Sequence, residues 1–175
     1  MGADSVAMGG TDVKIRRDPK AFIVKNHFLI GFTGSFRMGQ LLRFSFKPAP
    51  QKKVQTDHEY MCTDFINGVR KCFVDGGFMG KDKEDGEREE GGSFLVGYRG
   101  VIYEIEEDFQ VGINQEPYCS IGCGADYVHG SLFTTANLDL SPEAKITRAL
   151  ETAAHFSNGV RPPFIILQLP QAKKR

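Results

Sequence analysis

Apolar positions fall in short blocks separated by glycine, proline and charged turns. Residues 21–24 and 28–32 are two strand-length apolar runs around Lys25-Asn26-His27, which predicts a hairpin with Asn26 in its turn. Upstream, residues 13–15 read as a short strand, residues 8–11 as a small-residue turn, and Asp18-Pro19 as punctuation. From residue 35 the period changes. Phe36, Leu41, Leu42 and Phe44 lie at roughly helical spacing, predicting a helix over 35–46 that Pro48 and Pro50 close and Gly39 weakens. Met61, Phe65, Val69, Cys72 and Phe73 predict a second helix over 57–74, with Gly68 a minor conflict. Strand patterning resumes at 93–98 and 101–105, where Val101, Tyr103 and Ile105 share one side, and two further pieces fall at 109–111 and 118–121. Gly122-Cys123-Gly124 opens a third helix over 125–135. Ser141-Pro142-Glu143 then caps and starts a fourth over 142–156, which Asn158-Gly159 ends. A final apolar strand covers 164–169.

The order is strands, two helices, strands, two helices, strand. Two strand groups and two helix pairs in one chain suggest two packed sheets between helical layers, an α/β or α+β fold with mixed strands. At 175 residues this is one domain, 1–175, with enough chain for a sizeable core. Residues 76–92 carry mixed charges and read as an exposed charged loop. Residues 171–175 read as a basic tail.

Lysine plus arginine balances aspartate plus glutamate at 22 each, so charge gives no argument for nucleic acid or an anionic membrane as partner. Near-neutral charge with 14 phenylalanines favours self-association. No basic-and-apolar leader and no apolar run of transmembrane length is visible, so the expectation is a cytoplasmic protein without a membrane partner. Its cysteines, Cys62, Cys72, Cys119 and Cys123, are then reduced thiols. They lack the CxxC or paired-histidine spacing of a zinc site, and Gly9-Gly10 and Gly76-Gly77 lack the Gly-Lys-Ser/Thr of a phosphate loop, so no metal or cofactor is expected. Cys123 between two glycines has the look of a nucleophile, but no clear Cys-His base arrangement accompanies it.

The first third of the chain adds a more specific pattern. Asp4-Ser5 follows a small-residue turn, Lys20 opens the strand at 21, and Gly31-Phe32-Thr33-Gly34-Ser35 ends the next one. This arrangement resembles the proteasome beta subunit and its bacterial relative HslV, both N-terminal-nucleophile hydrolases, and the likeness runs through both helix pairs. It implies a four-layer alpha-beta-beta-alpha sandwich. It also implies roles for single residues. Lys20 matches the active-site lysine and Asp4 the acid that holds it. Gly34 matches the glycine whose amide faces the oxyanion, and Phe32 the position lining the substrate side-chain pocket. Cys123 stands where the family has the serine that supports the N-terminal amine. After the fourth helix, His155 and Asn158 stand where proteasome subunits carry aspartate and serine.

The family's nucleophile is a threonine at the head of a strand before the aspartate, and only Met1, Gly2 and Ala3 precede Asp4 here. Two readings stay open. In one, the natural product starts upstream and is a threonine-type peptidase acting on peptide or protein substrates. In the other, the chain is a non-catalytic assembly or scaffold protein. Family members build rings, so the resemblance implies a homo-oligomer, with a ring and an ATPase partner as further expectations.

Overall fold

In the computed structural model, residues 1–79 and 92–170 are described. Strands and helices follow the predicted order. The strands are β1 (Gly2–Ala3), β2 (Val6–Gly9), β3 (Asp12–Ile15), β4 (Ala21–Val24), β5 (Phe28–Phe32), β6 (Phe94–Tyr98), β7 (Val101–Ile105), β8 (Val111–Gly112) and β9 (Ile165–Ile166). The helices are α1 (Phe36–Gln40), α2 (Asp57–Tyr60), α3 (Ile66–Asp75), α4 (Ala125–Thr135) and α5 (Pro142–Phe156). Most of the charged loop expected at 76–92 lies outside the described residues.

Five strands form one sheet in the order β4-β5-β6-β7-β8, while β1 pairs with β9 and β2 with β3. Every pairing among the described residues is antiparallel, which corrects the expectation of mixed strands. For four of the six pairings the reason is local, because consecutive strands joined by short turns must run antiparallel, whereas β5–β6 and β1–β9 meet across long stretches of chain. Lys25 and Asn26 both take positive φ (49° and 58°) in the β4–β5 turn, as do Arg99 and Gly100 (49° and 86°) between β6 and β7.

Other expectations change at the ends of elements. Residues 8–11 are not a free turn: Met8 and Gly9 pair with Val13 and Asp12, so the turn shrinks to Gly10-Thr11. Residues 118–121 form no strand, because Cys119 is tethered to the sheet by its side chain, its thiol donating to Glu104 Oε2 at 3.2 Å. Phe109 turns the chain at φ 68°, so the strand expected over 109–111 begins only at Val111. The final strand contracts from 164–169 to two residues.

The first two predicted helices are each interrupted by a π-helical turn, Leu41–Ser45 after α1 and Met61–Phe65 between α2 and α3. In the first, the Phe46 N–H reaches back five residues to the Leu41 carbonyl at 2.8 Å. The extra residue shifts the helical phase, and Leu41, Leu42 and Phe46 are all buried. In the second, Met61 and Phe65 are both fully buried.

These helices lie on one face of the large sheet. Phe28 stacks on Tyr98 at 4.6 Å and 7°, and Phe65 meets Phe46 edge-on at 5.1 Å. Such rings contribute about 0.5–1.5 kcal/mol per pair beyond the area they bury. Their hydroxyls are satisfied at the rim: Tyr60 donates to the Ala49 carbonyl at 2.6 Å and Tyr98 to Gln51 at 2.8 Å. All five residues of β5 are buried, so its other face is covered too. There, a methyl group on Gly31 would come within 2.6 Å of Met1 Sδ, which places the N-terminal strand over the opposite face. Behind β1 lies α5, since a methyl on Gly2 would come within 2.9 Å of Leu150 Cδ1. No helix among the described residues is long and apolar enough to cross a membrane.

Candidate functional site

Lys20 sits one residue ahead of β4, and Asp4 follows β1. Their meeting is therefore tertiary, across 16 residues of sequence. Lys20 Nζ donates to Asp4 Oδ1 at 2.8 Å, and each side chain is 13% exposed. The other carboxylate oxygen accepts the Val6 N–H at 2.8 Å and the Arg161 N–H at 3.4 Å. With both oxygens engaged, Asp4 is fixed, and it fixes the lysine. The remaining surroundings of Lys20 are aromatic and cationic: its ammonium lies 6.0 Å from the centre of the Phe36 ring, on which Arg16 stacks at 4.0 Å. Arg16 is itself paired with Asp18 at 2.6 Å.

The backbone links this pair to the other expected residues. Phe32 N–H donates to the Lys20 carbonyl at 3.0 Å, so the end of β5 is registered against the lysine. Two residues on, Gly34 takes φ +75°, a conformation that glycine adopts without steric cost. It is exposed, and its N–H has no acceptor among the described residues. The Gly122-Cys123-Gly124 turn abuts the same strand end, since a methyl on Gly122 would come within 2.7 Å of Thr33 Oγ1. Cys123 is exposed and rests against Gly159, where a methyl would come within 2.8 Å of Cys123 Cβ. Asp4, Lys20, Gly34 and the Cys123 turn thus gather at one end of the large sheet.

Phe32 is placed differently from the rest. Its ring is 6% exposed and packs edge-on against Phe36 at 5.6 Å. Asp18, Phe32, Phe36, Gly39 and Arg43 line a hollow of about 10 Å³, too small for a substrate side chain. His155 is exposed and meets Phe156 edge-on at 4.7 Å.

Arg161 was not among the sequence candidates, yet it ties the site to α5. Its guanidinium donates to the carbonyls of Ala154, Ser157 and Val160 at 2.8–3.0 Å and to Asn158 Oδ1 at 2.8 Å. That satisfies the open Ala154 carbonyl in the last turn of α5 and ties it to the segment that follows. Its backbone faces the other way, donating to Asp4 and accepting the Ser5 N–H at 3.0 Å. The available signal was an arginine just past the Asn158-Gly159 helix stop.

The antiparallel five-stranded sheet, its helical cover and an N-terminal strand laid over its second face define a proteasome-like N-terminal-nucleophile hydrolase fold. Solved structures of that kind superpose over nearly the whole chain. BPH of Thiobacillus denitrificans, in complex with epoxomicin, matches with a TM-score of 0.74 at 16% identity, over 97% of this chain and 92% of its own. Eukaryotic HslV from Trypanosoma brucei matches with a TM-score of 0.64 at 17% identity, over 94% and 88%. Anbu, the ancestral beta-subunit from Yersinia bercovieri, matches with a TM-score of 0.58 at 14% identity, over 93% and 73%. No family model and no curated protein matches the chain. At these identities the likeness carries the fold and leaves the chemistry to be argued from the residues.

Proposed function

We propose that this domain is a subunit of a proteasome-like threonine peptidase, with its layers arranged as two sheets between helices and an N-terminal threonine as its nucleophile. The observation that carries this reading is the Lys20–Asp4 pair, held at 2.8 Å and largely shielded from water. A cation fixed in that way lowers the proton affinity of an amine or hydroxyl brought beside it, which is what an N-terminal nucleophile requires. The uncommitted Gly34 N–H would then donate to the oxyanion formed when the nucleophile attacks a peptide carbonyl. Cys123, at the neighbouring turn, would stand near the amine as a weak hydrogen-bonding group. The working form in this reading is a homo-oligomer acting on peptide or protein substrates.

Intact mass and N-terminal sequencing of the protein made from its natural gene, with and without epoxomicin, test the reading. The expected result is a longer mature chain that begins with threonine and gains one inhibitor mass per subunit, and Lys20→Met removes that gain. A native chain that begins at Met1 or Gly2 and takes no inhibitor would sink the peptidase reading.

A further inference from the structure

The turn that follows α5 touches both halves of the site. On one side, the Arg161 N–H donates to Asp4 Oδ2 at 3.4 Å and the Arg161 carbonyl accepts the Ser5 N–H at 3.0 Å. Ser5 Oγ adds a bond to the Pro163 carbonyl at 2.6 Å. On the other side, a methyl on Gly159 would come within 2.8 Å of Cys123 Cβ, and one on Gly124 within 2.7 Å of Val160 Cγ2. Ser5 and Val160 are both buried, so these contacts are packed together and not bridged by solvent. The shape of the turn depends on one side chain. Arg161 Nη1 donates to the carbonyls of Ala154 at 3.0 Å and of Ser157 and Val160 at 2.8 Å, and Nη2 to Asn158 Oδ1 at 2.8 Å. Only the Ala154 carbonyl belongs to α5, which ends at Phe156. The other acceptors lie in the turn itself, beyond anything a helix cap requires.

We infer that Arg161 is a positioning residue for the site. Its guanidinium fixes the turn over 157–161, the turn fixes Asp4, and Asp4 fixes the Lys20 ammonium. The charge is what does this. Three carbonyl oxygens gathered about one point repel one another, and a cation at that point turns the repulsion into attraction. Bonds from a charged donor are also about twice as strong as neutral ones. Among the described residues Arg161 forms no ion pair, so main-chain and amide oxygens alone surround its charge. Without it the turn is free to open. Asp4 then loses one of the two N–H donors to its Oδ2, and Ser5 loses the carbonyl that registers it. The catalytic consequence rests on the peptidase reading above, whereas the coupling of Arg161 to Lys20 rests on these contacts alone.

NMR on the full chain, its lysines labelled with heavy nitrogen, tests the coupling. The shielded, hydrogen-bonded Lys20 ammonium is expected to give a sharp nitrogen–proton correlation that Lys20→Met removes. In Arg161→Ala that correlation should be lost, and the Ser5 and Val6 amides should exchange at least about tenfold faster. Ethylguanidinium, which replaces the deleted charge, should restore both. Arg161→Gln keeps an uncharged donor and should behave as the alanine variant does, which keeps the test open if Arg161→Ala does not fold. Faster exchange confined to the last turn of α5, with the Lys20 signal and the Ser5 and Val6 amides unchanged, overturns the inference and leaves Arg161 a helix cap. So does a loss that ethylguanidinium leaves in place, which would mean a general loosening of the chain. On a mature chain that takes epoxomicin, Arg161→Ala is expected to slow labelling at least about tenfold, and labelling at the wild-type rate overturns the catalytic consequence. A wild type that takes no inhibitor sinks the peptidase reading and leaves the NMR comparison to decide the coupling by itself.

Discussion

Glycines at single positions show how differently the same residue is used. Gly39 breaks the helical pattern in sequence, and the structure supplies the reason: a methyl there would overlap the Phe32 ring, so the missing side chain is what lets α1 lie down on β5. Gly39→Ala therefore sets a propensity gain of about 1 kcal/mol against overpacking worth about 1–3 kcal/mol. Overpacking wins, because the obstacle is a buried ring with no room to swing away. The expected outcome is a net loss of about 1–2 kcal/mol in urea unfolding, without loss of the Lys20–Asp4 contact. The site itself was half legible at this scale. Asp4 and Lys20 were picked out through the family resemblance, whereas Arg161 was not, because its role combines a side chain that caps α5 with a backbone N–H that reaches Asp4.

The elements begin where their capping residues sit. Thr56 forms a reciprocal box with Glu59: the Glu59 N–H donates to Thr56 Oγ1 at 3.1 Å and the Thr56 N–H to Glu59 Oε2 at 3.4 Å. Ser141 caps α5 through the Ala144 N–H at 3.1 Å. Thr56→Ala is expected to cost about 1 kcal/mol, read as a lower thermal midpoint with an unchanged fold. Predicted bounds for α4 and α5 hold to the residue: α5 starts at its Ser141 cap, and α4 starts at the Gly122-Cys123-Gly124 turn without a side-chain cap. The π-helical turns at 41–45 and 61–65 were not legible. Whether a helix takes in an extra residue depends on which side chains the sheet will accept, and that is settled by packing.

Across the whole molecule, the large sheet is covered on both faces, and the Cys119 thiol and the Tyr60 hydroxyl are partly withdrawn from water. Burial and the Glu104 carboxylate push the Cys119 thiol from 9.0 to about 12, and burial pushes the Tyr60 hydroxyl from 10.0 to about 12. In both, the unfolded chain loses its proton first. The unfolded state then binds fewer protons than the native state, and stability falls as pH rises from about 9 towards about 12. Urea midpoints measured at pH values of about 8.5 and about 10.5 should show this decline, and Cys119→Ser and Tyr60→Phe should each flatten part of it.

By itself the sequence determined the element order, the two hairpins around 25–27 and 99–100 and the bounds of the last two helices. All of these rest on local period, turn chemistry or caps, whereas Asp4 and Lys20 stood out only through the family resemblance. Tertiary structure decided the rest: that 118–121 hangs from the sheet through Cys119, that Phe32 fills its own hollow, and that β1 and β9 meet from opposite ends of the chain. Each of these outcomes depends on which distant surfaces come together, and pairing between remote segments leaves no period in the sequence of either one.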